Sequence, residues 1–129
     1  MGSQSGGGYS SSPSSFERLA RNVDRLAQDY RLTPGGRFGE KGDNSRVITS
    51  ENPNATAREF WKALSKGGRV RSLPNGKGEG AFFDDGSHVV FRPITSTENS
   101  PAISIRIMTK GRGIAANQKI HFMAKGSHK

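Results

Sequence analysis

From Ser87 to Phe122 apolar and polar residues alternate along the chain. A strand turns successive side chains to opposite faces, so Val89 and Phe91 share a face with Ile103, Ile105 and Ile107 and with Ile120 and Phe122. The opposite face collects His88, Arg92, Ser104, Arg106, Lys119 and His121. This predicts strands at 87–92, 102–108 and 119–123. Turn signals at Pro74-Asn75-Gly76 and Asp84-Asp85-Gly86 add shorter ones at 70–73 and 80–83. Upstream the period lengthens. Phe16, Leu19, Ala20, Val23, Leu26, Ala27 and Tyr30 mark an amphipathic helix, opened by a Ser14/Glu17 capping box and stopped at Leu32 before Thr33-Pro34-Gly35-Gly36. Residues 38–44 read as loop, with a short extended segment at 46–49. A second helix begins at Asn52-Pro53-Asn54, buries Ala57, Phe60, Trp61 and Leu64, and ends at Gly67-Gly68. Trp61 falls on that stripe and reads as core. The expected fold is α+β, two N-terminal helices packed on a twisted antiparallel sheet.

Composition limits what this fold can be. Hydrophobic residues are 31% of the 129, and 17 are Gly, which implies a small core with long irregular segments. Residues 1–15 read as a flexible Gly/Ser-rich linker or vector-derived remnant, 16–124 as one domain, and 125–129 as a disordered tail. Lys plus Arg total 20 against 11 Asp plus Glu, a net charge of +9, and the last acidic residue is Glu98. Beyond it come Arg106, Lys110, Arg112, Lys119, Lys125 and Lys129. Such a field attracts phosphate backbones. The lack of cysteine excludes disulfide frameworks, thiolate metal sites and a cysteine nucleophile. No apolar run of about 18 residues is present, so no membrane span is expected, and the N-terminus has no signal-peptide pattern.

Several chemistries fail on the residues. Gly76-Lys77-Gly78-Glu79-Gly80 has neither Walker spacing nor a following helix, and reads as a hairpin in which Lys77 can touch a phosphate. His88, His121 and His128 lack metal-ligand spacing, so neither metal nor cofactor is expected. A Ser-His-Asp triad lacks a nominated acid. Arg92 with Thr95-Ser96-Thr97 resembles an ADP-ribosyltransferase pair, but no glutamate follows position 98. The remaining chemistry is metal-independent RNA cleavage, which needs a group titrating near neutrality and cationic donors to phosphate. His121 supplies the first. Arg92 offers a planar fork for two phosphate oxygens. Lys119 shares the face of His121 and would hold its pKa down, and Thr97 or Ser96 would orient the phosphate or the 2′-OH. Arg106, Lys77, His88, Lys110 and Arg112 would steer RNA. The alternative is a noncatalytic RNA-binding module with the same basic face.

A set of short motifs extends this reading. Asn52-Pro53, Glu59-Phe60-Trp61, Asn75-Gly76-Lys77-Gly78, Phe91-Arg92-Pro93, Thr95-Ser96-Thr97, Ser100-Pro101-Ala102-Ile103 and Lys119-Ile120-His121-Phe122 resemble the C-terminal toxin domains of bacterial polymorphic and contact-dependent growth inhibition proteins. The resemblance is to their ribonuclease group, which includes barnase, EndoU, colicin and RelE-like domains. It implies a secreted or surface-delivered endoribonuclease acting on tRNA in the cytoplasm of a target bacterium. It also implies a cognate immunity protein, expected to be acidic, and in some relatives a translation elongation factor. Arg92, a hydroxyl among Thr95 to Thr97, and His121 would form the active set, with Lys119 in support.

Overall fold

The computed structural model describes residues 18–42, 45–97, 99–108 and 113–125. The capping box, the proposed linker, Glu98, Lys110, Arg112 and all but the first residue of the proposed tail lie outside these. Helix α1 spans Arg18–Leu26 and α2 spans Pro53–Leu64. The strands are β1 (Glu40–Lys41), β2 (Arg46–Ser50), β3 (Arg69–Ser72), β4 (Glu79–Phe82), β5 (His88–Arg92), β6 (Ala102–Arg106) and β7 (Asn117–Ala124). They form one sheet in the order β1-β2-β7-β6-β5-β4-β3.

This corrects the expected fold. The helices are not an N-terminal pair, because β1 and β2 come between them, and the sheet is mixed, because β2 runs parallel to β7. The reason is topological. β3 to β7 form an antiparallel meander, so β3 and β7 point the same way. β2 lies beside β7 and leads through α2 to β3 at the far edge, and parallel strands need such a crossover connection. Nothing in residues 46–50 names a partner about 70 positions away. The first helix is also shorter than expected at its C-terminal end. After Leu26 the chain closes into turns, with Tyr30 N–H donating to Leu26 O at 2.8 Å.

The core lies between one sheet face and α2, with α1 packed on α2. Val89, Phe91, Ile103, Ile105, Ile120 and Phe122 meet Phe60, Trp61 and Leu64. Phe60 makes edge-to-face contacts with Phe38, Phe122 and Tyr30 at centroid distances of 5.0, 5.3 and 5.1 Å. Each fully buried side chain of this size contributes about 1.5–3 kcal/mol. Phe38, expected in a loop, is completely buried. Its N–H donates to Oε1 of Gln118, whose Nε2 donates to Gly36 O, so a buried amide fastens the 33–38 turn to the sheet. Asn22 of α1 donates to the carbonyls of Leu64 and Lys66, both at 2.8 Å, satisfying acceptors that the end of α2 leaves open. Trp61 is core as expected: it stacks on Phe91 at 5.7 Å and donates to Glu79 at 3.1 Å.

Candidate active site

The sheet face turned away from the helices carries the predicted polar residues. Cross-strand partners share a face, and the register sets Arg92 opposite Ala102, Ala102 opposite His121, and His121 opposite Val47. The next row holds Val90, Ser104 and Lys119, and the one beyond holds His88, Arg106 and Asn117. Arg92 and His121 are therefore two strand spacings apart, about 10 Å between Cα atoms, with only the small Ala102 between them. Arg92 and Lys119 are exposed.

His121 departs from expectation. It lies on the predicted face but is only 5% exposed. The chain after Arg92 folds back over this end of the sheet: Thr95 N–H donates to Ser100 O at 3.0 Å, and Pro101 O accepts from Phe122 N–H at 2.9 Å. Ser100 is thereby brought to the imidazole, with Oγ 2.9 Å from His121 Nδ1.

The direction of that bond depends on where the Ser100 hydroxyl hydrogen lies. Ser100 Oγ has one, and it donates to the Thr97 carbonyl at 2.7 Å. The Thr95 hydroxyl spends its own on Ser100 O at 2.8 Å. With its hydrogen on the Thr97 carbonyl, which also accepts from Ser100 N–H at 2.9 Å, Ser100 Oγ accepts from Nδ1–H. In that arrangement the neutral ring is the Nδ1–H tautomer, which leaves Nε2 with a lone pair, the form a general base requires. Burial holds the His121 pKa below its ordinary 6.5, and the Lys119 ammonium lowers it further. At neutral pH the imidazole is uncharged.

The other predicted residues divide into three groups. Ser96 is exposed and Thr97 half-buried; Thr97 enters the network through its backbone, while the hydroxyls that build it belong to Thr95 and Ser100. Lys77 follows the turn at Pro74–Gly76, which closes against the Arg92 end of β5. At Gly78 (φ +137°) a Cβ would come 2.0 Å from Phe91 O, so the glycine-rich run is a close backbone approach rather than a phosphate loop. His88 and Arg106 lie at the opposite end of the face, with Arg106 donating to Asn117 at 3.1 Å. There they line a groove of about 530 Å³ together with Arg37, Arg46, Ser104 and Lys119, and none of its lining among the described residues is acidic. Arg92 and His121 lie outside this groove. No group of three or more His, Asp or Glu side chains placed to hold a metal occurs among the described residues.

Two residues were missed. Ser100 is 21 positions from His121 and had no periodic signal. Phe82 did have one: Phe82 and Phe83 are adjacent in sequence, so one of them must leave the core face of a strand. Phe83 is buried, and Phe82 is 38% exposed on the basic side. Compared with known proteins, the chain matches no family model, no curated protein and no solved structure.

Proposed function

We propose that the protein is a metal-independent endoribonuclease. His121 Nε2 takes the proton from a ribose 2′-OH, and the oxygen attacks the adjacent phosphorus while Arg92 holds the non-bridging oxygens. The bond to the 5′-oxygen breaks, giving a 2′,3′-cyclic phosphate and a 5′-hydroxyl that takes its proton from water. The observation that carries this reading is the His121–Ser100–Thr97 chain. With the Ser100 hydrogen on the Thr97 carbonyl it gives a neutral imidazole in the base-competent tautomer, on the same row as an exposed arginine and beside Lys119.

The sequence resemblance to contact-dependent inhibition toxins supports a tRNA substrate in a target bacterium and an acidic immunity protein that covers the basic face. The second reading, a noncatalytic RNA-binding module, is favoured by Phe82, an exposed aromatic on that face. Incubation with total bacterial RNA, with and without EDTA, separates the readings. The nuclease leaves 2′,3′-cyclic phosphate ends in both conditions, and His121→Ala lowers the rate by about 10²–10⁴-fold. Cleavage abolished by EDTA, or undiminished in His121→Ala, would refute the mechanism. RNA binding with no cleavage would select the module.

A further inference from the structure

The end of the basic face farthest from His121 has its own construction. Phe82 of β4 lies directly opposite His88 of β5, and their rings stack at 5.9 Å with 27° between planes. The Phe82 ring lies over the strand against Gly80, where a Cβ would come 3.2 Å from it and push it aside by a few tenths of an ångström. Phe82 keeps 38% of its surface exposed there. On one side of the pair Arg106 is the register partner of His88, and the basic groove opens past it to Lys119. On the other side Arg69 and Arg71 of edge strand β3 face the same way, opposite Phe82 and Gly80. Arg69 pairs with Asp84 across 3.1 Å, both well exposed, and such a pair is worth little against a phosphate competing for the same cation.

We propose that Phe82 and His88 form a stacking platform for an unpaired nucleobase of RNA, with Arg106 and Lys119 holding the phosphates that lead away from it. Charge decides the occupant: an apolar ring set among cations, beside a groove lined by Arg37, Arg46, Arg106 and Lys119 and by no carboxylate among the described residues, suits a ligand that is flat and apolar at its base and anionic along its backbone. From strand spacing and rise the platform is about 20 Å from His121. It therefore binds a nucleotide removed from the scissile bond by several positions, and requires that stretch to be single-stranded. This deepens the ribonuclease reading and rests on it.

The test uses fluorescence anisotropy with a labelled 2′-O-methyl oligonucleotide, which lacks the attacking hydroxyl and stays intact with the wild-type protein. An abasic strand of equal charge serves as the comparison. Phe82→Ala is expected to raise Kd for the base-bearing strand about 5- to 150-fold, the range of one lost base–aromatic stack. The abasic strand should bind both proteins equally. Phe82→Trp should restore the preference for bases, with thermal melts confirming that both variants fold. Equal weakening on both strands, or none on either while RNA is still cleaved, would overturn the platform and leave the nuclease standing. Unchanged RNA affinity with loss of self-association would assign Phe82 to a protein contact and also overturn it. Failure of the wild-type protein to cleave RNA would refute the nuclease reading by itself.

Discussion

Replacing Ser100 by Ala removes one oxygen and alters the chemistry of His121 without touching it. Two hydrogen bonds are lost, to the Thr97 carbonyl at 2.7 Å and from His121 Nδ1 at 2.9 Å. The first is worth about 1 kcal/mol net. The second leaves a donor unpaired beside a residue that is 5% exposed, which costs about 1–3 kcal/mol. Together the variant should lose about 2–4 kcal/mol of stability, read by urea unfolding. The catalytic effect is separate. Once the 1–3 kcal/mol that holds the proton on Nδ1 is gone, the proton can move to Nε2 and the base is lost in that fraction of molecules. With that preference gone the two tautomers become about equally populated, so kcat falls about 2-fold. KM should change little, because Ser100 is buried behind the imidazole. Imidazole ¹⁵N chemical shifts read the tautomer directly: Nε2 should be unprotonated in the wild type and partly protonated in Ser100→Ala. A variant that is destabilised, yet keeps the wild-type tautomer and turnover, would refute the assignment and leave Ser100 a structural loop residue.

Two further predictions concern the whole fold. His121 has a folded-state pKa below its unfolded value near 6.5, so the unfolded chain binds more protons and stability rises with pH across that interval. Urea midpoints should therefore be flat above about pH 7 and fall as pH drops through 6.5 toward the lowered folded value. In His121→Gln this part of the slope should vanish, and a slope retained in full would exclude His121 as its source. Gly78→Ala would place a Cβ 2.0 Å from Phe91 O at φ +137°. With backbone on both sides, the β3–β4 turn or the Arg92 end of β5 must shift, at a cost of about 3 kcal/mol or more. Gly76→Ala, where a Cβ meets no atom within 4 Å, is the matched comparison. Its positive φ makes it costly too, but it should be the milder of the two.

The local pattern determined which side of each strand faces the core. Period two placed Val89, Phe91, Ile103, Ile105, Ile120 and Phe122 inside, and put Arg92, Lys119 and His121 on one opposite face, because alternation is a property of the strand itself. Helix stripes named Phe60, Trp61 and Leu64 for the same kind of reason. What the pattern could not determine was pairing. The partnership of β2 with β7 and the fastening of the buried Phe38 segment to Gln118 depend on contacts across some 70 to 80 positions. No periodicity encodes such contacts, and a short segment such as 46–50 is compatible with an edge, a centre or a loop. The site divides the same way. Strand alternation supplied His121 and Arg92 and their shared face. Only the closed chain brought Ser100 to Nδ1, covered the imidazole and set Phe82 against His88, because covering and stacking are made by the approach of separate segments.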